Sequence, residues 1–254
     1  MSEVLDATGD GREAAIARAA ELLRGGKLVV VPTDTVYGLA ADAFDVDATT
    51  ALFALKGRDR SVPLPVLIRT PKQLAGLARN VPPAADHLVA AFWPGPITLV
   101  LEAQDRPRWD LGETEGTISI RMPLDDVALE VIRSVGPLAV TSAGASVEAP
   151  PRTVAEAEEA LGDRVDAYLD AGPRGDGVPS TIVDLTRSRP HVLRDGVVPT
   201  VLALDVAEGL IDPVDAATQL AGGPGEGSGE GSGEPRGDGP EEVAGPGHGG
   251  GRDE

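Results

Sequence analysis

A short apolar segment that ends in a proline and a group of hydroxyls constrains this chain more than any other feature. Residues 28–31 read Leu-Val-Val-Val, and four consecutive apolar residues predict a buried strand. Pro32 cannot donate to a sheet ladder, so we expect the strand to end there. Residues 33–35, the Thr-Asp-Thr turn, follow, and Gly38 permits a sharp turn or a close backbone approach. Ligands bind just outside such strand ends in open α/β sheets, so this turn is a candidate binding site.

Helical and strand patterns alternate along the chain up to about residue 205, which predicts an α/β domain of roughly 200 residues. We assign residues 10–205 to this domain and residues 206–220 to a short C-terminal helix. Residues 221–254 contain 14 glycines and eight acids against two arginines, a composition that predicts a disordered acidic tail.

Expected helices cover residues 12–24, a segment capped by Asp47 that ends at Lys56, 84–92, 125–135 and 153–161. Expected strands cover residues 28–31, 65–68, 97–101, 117–121, 138–140, 167–169, 181–185 and 191–194.

Composition excludes several classes of protein. The formal net charge of −19 argues against broad electrostatic binding to nucleic acid or anionic membranes. The chain has no cysteine, which excludes disulfides, thiolate zinc sites and cysteine nucleophiles and suits a reducing compartment. No apolar run approaches the ~20 residues of a membrane span, and the N-terminus lacks the pattern of a secretory signal. We therefore expect a cytoplasmic protein that makes no membrane contact.

Basic residues are concentrated in one part of this acidic chain. Residues 51–70 carry four basic side chains against one acid. Lys56 and Arg58 lie two residues apart at a predicted helix end and can reach the same anion, while Arg121 and Arg194 lie at the ends of predicted strands. A guanidinium group binds phosphate or carboxylate through two parallel hydrogen bonds. Any one of these residues is compatible with a surface salt bridge, but together they indicate a site for a polyphosphate.

Hydroxyl groups adjoin three of the predicted strands. They are Thr33 and Thr35, Thr141 and Ser142, and Ser180 and Thr181. One such cluster is usually a turn or a helix cap, but three of them, with free backbone N–H groups, make a good receptor for phosphate or carboxylate.

Other signatures are weak or missing. The chain has no Walker sequence, no G-x-G-x-x-G after a strand and no nucleophile elbow, although a Ser-His-Asp triad stays open. His87 and His191 lack partners at metal-ligand spacing. Seven aromatic residues are few for base stacking along single strands.

Six short motifs occur in order along the chain. They are Pro-Thr-Asp-Thr-Val-Tyr-Gly-Leu at 32–39, Lys-Gly-Arg at 56–58, Phe-Trp-Pro-Gly-Pro-Ile-Thr at 92–98, Ser-Ile-Arg-Met-Pro at 119–123, Thr-Ser-Ala at 141–143 and Pro-Ser-Thr-Ile-Val-Asp at 179–184. This ordered set, between about residues 12 and 200, resembles the YrdC-like family of L-threonylcarbamoyladenylate synthases. The resemblance implies a twisted mixed sheet with flanking helices and an open, positively charged cavity, as in YrdC-like and RibB-like folds.

The resemblance also implies a reaction. Members of the family condense L-threonine, bicarbonate and ATP, with Mg²⁺ on the phosphates, into threonylcarbamoyl-AMP and release pyrophosphate. A separate tRNA threonylcarbamoyl transferase complex then uses the product to modify the adenosine next to the anticodon. Weak or no direct binding of tRNA by this chain is therefore expected.

Individual roles follow from the motif positions. The resemblance implies contacts with threonine for Thr33, Thr35, Arg121, Thr141 and Ser180. It implies contacts with the nucleotide for Lys56, Arg58, Thr117, Ser142 and Arg194. Lys56 and Arg58 would also act in catalysis, and no side chain is expected to hold a metal ion.

Two positions depart from the family pattern. Gly144 stands where the family usually has Asn, and Leu67 stands where it commonly has His. These departures keep a second hypothesis open, a non-catalytic paralogue that binds nucleotide or double-stranded RNA. A third hypothesis, a carbamoyl-transfer module of a maturation enzyme, is disfavoured by the lack of cysteine and of zinc-finger or acylphosphatase-like segments.

Overall fold

A mixed β-sheet carries the fold of the computed structural model, which describes residues 2–106, 109–145 and 149–222. Its eleven strands in these ranges are β1 Glu3–Asp6, β2 Val29–Val31, β3 Gly38–Asp42, β4 Val66–Leu67, β5 Ala78–Arg79, β6 Ile97–Ala103, β7 Thr117–Arg121, β8 Leu138–Ser142, β9 Ala167–Asp170, β10 Thr181–Asp184 and β11 His191–Arg194. The helices of the same ranges are α1 Arg12–Arg24, α2 Val46–Lys56, α3 Leu74–Leu77, α4 Pro83–Phe92, α5 Asp126–Val135, α6 Val154–Leu161, α7 Thr200–Ala207 and α8 Pro213–Ala221.

The strand order is β1-β9-β2-β3-β8-β4-β7-β6-β10-β11, with β5 paired to β6 outside this path. Strands β3 and β8 are antiparallel to each other, whereas β4 and β7 are parallel, as are β6 and β10. The predicted α/β class with a twisted mixed sheet and flanking helices is confirmed. Three strands, β3, β8 and β4, separate β2 from β7, so residues that follow these two strands are not neighbours within the sheet.

Apolar residues pack on both faces of the sheet. The larger cluster includes Val30, Leu39 and Ile120 and reaches Leu52 and Phe53 of α2. The smaller cluster joins α1 and α5 to the other face of β2, β3, β4 and β8. Strand period fixes this division, because alternate residues of a strand point to opposite faces.

The same alternation leaves a polar stretch on β7. Ile118 and Ile120 belong to the larger apolar cluster, so Thr117, Ser119 and Arg121 point to the opposite face. Thr117 and Ser119 are half-buried rather than covered by the smaller cluster. This face of β7 is therefore available to a ligand beside Arg121.

Helix α2 places the predicted basic pair. Its cap is Asp45, whose carboxylate accepts hydrogen bonds from the backbone N–H groups of Asp47 and Ala48 at 3.0 and 3.1 Å. The predicted cap at Asp47 is therefore wrong by two residues, because Asp45 already has the extended backbone that a cap needs. Lys56 is the last helical residue, and Gly57 follows with a φ of 54°, a left-handed conformation that ends the helix.

The first and last elements of the described part of the chain differ from the prediction. Residues 206–220 do not form one short helix, since α7 ends at Ala207 and α8 begins at Pro213, and both pack against α4. Strand β1 pairs with β9, so the compact unit, Met1–Gly223, is wider than the expected domain of residues 10–205. The predicted tail, apart from its first two residues, lies outside the described residues. None of the helices described is both long and apolar enough to cross a membrane.

Gly38 lies where two strands meet closely, as expected from the sequence. A Cβ atom at this position would stand 2.6 Å from Cγ1 of Val140 on β8. We expect Gly38→Ala to lower the free energy of unfolding by about 1–3 kcal/mol, because β3 and β8 must separate to admit the methyl group. Urea unfolding measures this, with Gly76→Ala as the control, since a Cβ at Gly76 meets nothing within 4 Å. Equal stability of both variants would contradict the close approach.

Candidate functional site

Arg121, at the end of β7, is the centre of the candidate site. Its side chain is buried, and its three nitrogen atoms each have a partner in the protein. Nε donates to the carbonyl of Gly95 at 3.0 Å, Nη1 to Oγ1 of Thr35 at 3.0 Å and Nη2 to Oδ1 of Asp34 at 2.6 Å. Burial lowers the pKa of Arg121, and the carboxylate of Asp34 opposes that shift. These contacts hold the Thr-Asp-Thr turn against β7, although three strands lie between β2 and β7.

The two threonines of this turn are joined through their hydroxyls. Oγ1 of Thr33 lies 3.0 Å from Oγ1 of Thr35, and both side chains are buried. Thr33 donates its hydroxyl hydrogen to the carbonyl of Val36 at 2.6 Å and accepts from the backbone N–H groups of residues 35 and 36, both at 3.2 Å. Thr33 therefore holds the turn closed, while Thr35 contacts Arg121.

A second hydroxyl pair lies where β6 and β10 are neighbours. Oγ1 of Thr98 and Oγ of Ser180 are 2.9 Å apart, and both residues are buried. Arg194 of β11 donates from Nη2 to Oγ of Ser180 at 3.0 Å and to its carbonyl at 2.8 Å. Burial lowers the pKa of Arg194, and the positive charges of Arg121 and Arg58 lower it further. The guanidinium groups of Arg121 and Arg58 thus lie close enough to Arg194 to repel it.

The basic pair at the end of α2 meets the last part of β8 and the segment that follows it. Nη1 of Arg58 donates to Oγ1 of Thr141 at 3.3 Å, and Nε and Nη2 donate to the carbonyls of Val62 and Pro63 at 2.7 and 2.9 Å. Lys56 donates to the carbonyl of Gly144. Burial lowers the pKa of both basic groups, and the charge of Arg58 contributes to the shift at Lys56.

Most of the residues named from the sequence therefore converge. Contacts or electrostatic coupling connect Arg58, Arg121 and Arg194, and each of these arginines holds a hydroxyl, namely Thr141, Thr35 and Ser180. Thr117 does not join them. It lies four residues before Arg121 on the same face of β7, and its hydroxyl donates to the carbonyl of Thr114 at 2.7 Å. Ser142 ends β8 and accepts from the backbone N–H of Gly144 at 3.3 Å.

The two departures from the family pattern have structural explanations. A Cβ at Gly144 would lie 3.0 Å from Cδ of Pro151 and 3.3 Å from the carbonyl of Ala149, so a larger side chain would displace this segment. Leu67 pairs with Arg121 in register, but its side chain is buried in the smaller apolar cluster. Both positions are therefore fitted to packing in this chain.

Several contributing groups were not predicted from the sequence. The sequence indicated Asp34 only as part of the turn, and it gave no separate role to Thr98 or to the carbonyl of Gly95. Arg174 donates to the carboxylate of Asp125 at 2.6 Å, approaches the carbonyl of Thr33 at 3.5 Å and lies over the ring of Tyr37. The sequence did carry a signal for Thr98. Alternate residues of 97–101 point away from the core, so the strand pattern places the Thr98 hydroxyl on the face opposite Ile97 and Leu99.

The residues of the site do not form a metal site of their own. Asp34 is its carboxylate, and that group already accepts from Arg121 and from the backbone N–H of Leu124 at 3.0 Å. In the described ranges, no three His, Asp or Glu side chains are grouped so as to hold a metal ion.

Comparison with known proteins decides the family. The model of the Sua5/YciO/YrdC family, described as "Telomere recombination", matches residues 21–196. This chain belongs to that family. A Mycobacterium tuberculosis protein named "Putative threonylcarbamoyl-AMP synthase" is 46% identical over 213 residues, which cover 82% of this chain and 98% of that protein. The threonylcarbamoyl-AMP synthase of Pyrococcus abyssi is 40% identical over 71% of this chain and 54% of its own length.

A solved structure of a family member extends the comparison to the fold. The crystal structure of P. abyssi Sua5 complexed with L-threonine superposes with a TM-score of 0.78 and 34% identity, covering 83% of this chain and 62% of that one. The family resemblance seen in the six sequence motifs is confirmed.

The ion pair between Arg121 and Asp34 offers a test of the site's construction. Asp34→Asn removes the charge that compensates a buried guanidinium, so we expect the free energy of unfolding to fall by about 3 kcal/mol. Asp105→Asn is the matched control, since Asp105 pairs with Arg79 while its side chain is 88% exposed, and such pairs contribute roughly 0–1 kcal/mol. Urea unfolding of both variants measures the two losses of unfolding free energy. Similar losses would contradict a special role for the buried pair.

The tyrosine beside the turn offers a pH test. Burial raises the pKa values of Tyr37 and Tyr168, which are the chain's two tyrosines, from 10.0 to about 12. The folded protein therefore resists ionisation of both rings, while the unfolded chain ionises first. We expect stability to be lost progressively between pH 10 and 12. Tyrosinate absorbance, followed with circular dichroism, measures this, and half-complete ionisation near pH 10 in folded protein would contradict it.

Proposed function

We propose that this chain is a threonylcarbamoyl-AMP synthase, which condenses L-threonine, bicarbonate and ATP into threonylcarbamoyl-AMP and pyrophosphate. The observation that carries the proposal is the buried Arg121, held by the Thr-Asp-Thr turn beside the further basic groups of Lys56, Arg58 and Arg194. The names of the family members and the threonine bound to P. abyssi Sua5 support it.

Arg121 fits the carboxylate of threonine. A guanidinium group has five N–H donors, and the three hydrogen bonds of Arg121 to protein atoms leave two. Two donors are what a carboxylate needs for bidentate binding. The hydroxyls of Thr35, Thr141 and Ser180 supply hydrogen bonds for the remaining polar groups of the amino acid, and Thr33 supports Thr35 from behind.

The other basic groups fit the phosphates of ATP. Burial lowers the pKa values of Lys56 and Arg194, and the charges of neighbouring arginines lower them further, so a bound triphosphate would relieve this repulsion. Ser142 and Thr117 are assigned to the nucleotide as well, and Thr117 lies at the opposite end of β7 from Arg121. Mg²⁺ would arrive on the phosphates of ATP, whose charge it neutralises.

The reaction needs no nucleophile from the protein. The amine nitrogen of threonine forms a bond to the carbon of bicarbonate, and water leaves to give a carbamate. A carbamate oxygen then attacks the α-phosphorus of ATP, and the bond to pyrophosphate breaks. Arg121 fixes the amino acid, while Lys56 and Arg58 stabilise the charge on the phosphates, so catalysis rests on proximity and electrostatics.

The product implies a partner and a place of action. Threonylcarbamoyl-AMP is an activated carbamate, and we propose that a tRNA threonylcarbamoyl transferase complex receives it in the cytoplasm. The net charge of −19 disfavours strong direct binding of tRNA by this chain.

Pyrophosphate release tests the proposal. Purified protein with L-threonine, bicarbonate, Mg²⁺ and ATP should form pyrophosphate, and omission of L-threonine should abolish the signal. We expect Arg58→Gln to lower kcat/KM for ATP about 10- to 100-fold, because a charged hydrogen bond to the phosphates is lost. Arg60→Gln is the matched control, since Arg60 lies over the ring of Phe53 and pairs with Asp110 instead.

Two outcomes would contradict the proposal. They are the absence of turnover, or equal turnover with and without L-threonine. Nucleotide binding without turnover would instead support the non-catalytic paralogue, and salt-sensitive binding of double-stranded RNA would identify its ligand.

A further inference from the structure

One of the six sequence motifs has no role in the proposed reaction. It is the Phe-Trp-Pro-Gly-Pro-Ile-Thr segment at 92–98, which connects α4 to β6. Residues 93–96, the Trp-Pro-Gly-Pro turn, lead directly into β6, and β6 lies between β7 and β10 in the sheet. Arg121 ends β7, and Ser180 immediately precedes β10. The turn therefore lies between two residues that are assigned to threonine.

Two hydrogen bonds join this turn to the end of β7. The carbonyl of Gly95 accepts from Nε of Arg121 at 3.0 Å, and the backbone N–H of Gly95 donates to the carbonyl of Met122 at 2.8 Å. One residue of the turn thus holds both the arginine side chain and the backbone beside it. The position of the Arg121 guanidinium group therefore depends on the position of Gly95.

Two further contacts join the same segment to the start of β10. The carbonyl of Pro96 accepts from the backbone N–H of Thr181 at 3.0 Å. Oγ1 of Thr98 lies 2.9 Å from Oγ of Ser180, and both residues are buried. Ser180 is therefore held to this segment through its own side chain and through the residue that follows it.

The indole of Trp93 closes the turn. Its Nε1 donates at 2.9 Å to the carbonyl of Ile97, the first residue of β6, and Trp93 is buried. An indole has one N–H and no acceptor, so this bond uses its whole polar capacity. The turn is also tightly packed, since a Cβ at Gly95 would lie 2.5 Å from the carbonyl of Phe92. The bond therefore fixes the two ends of the turn relative to each other.

We propose that Trp93 is a positioning residue, whose bond to Ile97 fixes the Trp-Pro-Gly-Pro turn and thereby the position of Arg121 relative to Ser180. This inference rests on the proposed function, in which Arg121 and Ser180 both contact L-threonine. The Trp93 side chain packs in the larger apolar cluster and acts through the turn. A ligand that spans two binding groups needs both at the correct separation, and a misplacement of about 1 Å can cost up to about 100-fold.

The test measures the affinity for L-threonine by calorimetry in Trp93→Phe. Phenylalanine keeps an aromatic ring but has no N–H, so the turn loses its closing bond. We expect the affinity to fall about tenfold, which is the scale of one hydrogen bond to a charged group. Trp109→Phe is the matched control, since Trp109 is the other tryptophan of the chain and stacks on Phe44 with the ring centroids 5.7 Å apart. This control should change the affinity less than about twofold.

A double-variant cycle distinguishes positioning from a general loss of structure. Ser180→Ala removes the contact that the turn aligns with Arg121. If Trp93 acts through this alignment, Trp93→Phe should lower the affinity for L-threonine less than about threefold in the Ser180→Ala background. A general loosening of the protein would instead cost about tenfold in both backgrounds, because independent losses add.

Two further variants keep the inference testable if Trp93→Phe does not fold. 3-Benzothienylalanine at position 93 keeps the size of the indole and replaces its N–H by sulfur, so it removes the donor without opening a cavity. Gly95→Ala displaces the turn from the carbonyl of Phe92, and Gly76→Ala is its control. Both variants carry the same expected loss of affinity and the same dependence on Ser180.

The outcomes separate this inference from the proposed function. A wild-type protein that binds no L-threonine overturns the proposed function and the inference with it. A wild type that binds L-threonine, together with an unchanged affinity in folded Trp93→Phe, overturns the inference alone. Additive losses in the double variant also overturn it, because Trp93 would then act on stability rather than on the alignment of Arg121 with Ser180.

Discussion

The buried contact between Arg121 and the Thr-Asp-Thr turn is the interaction on which the site depends. A guanidinium group without water needs a counter-charge and acceptors for its N–H groups, and Asp34, Thr35 and the carbonyl of Gly95 provide them. The same contact brings two distant parts of the sheet together, since three strands lie between β2 and β7. Arg121 thus holds the turn against β7, and it is also the residue proposed to bind a carboxylate.

The crowded positive charge around Arg121 determines what the site can accept. Burial lowers the pKa values of Arg58 and Arg194, and the positive charges of Arg121 and Arg58 lower that of Arg194 further. An anion with several charges relieves this repulsion better than a single carboxylate does, which favours a substrate pair of amino acid and triphosphate. The acidic remainder of the chain, with a net charge of −19, makes such a site a local exception.

Much of this arrangement was predictable from the sequence. The elements and contacts that were not predicted lack a local sequence signal, for physical reasons. The strand before Pro32 and the basic pair of α2 were apparent because β-branched runs and helix stops are local signals. Strand β3 was missed because Gly-Leu-Ala-Ala-Asp contains no β-branched residue. The role of Asp34 depends on a partner 87 positions away, which no local pattern indicates. The break between α7 and α8 follows from Gly209, whose φ of 74° ends the helical path.

The separation of β2 and β7 in the sheet has a consequence for how binding and folding are related. The Thr-Asp-Thr turn comes from the first fifth of the chain, whereas Arg121 and Arg194 come from its middle and its later part. No fragment that lacks one of these strands can assemble the anion receptor, however well its own segment folds. Ligand affinity therefore reports that the strands from β2 to β11 have come together, and a bound anion should stabilise this part of the sheet against unfolding.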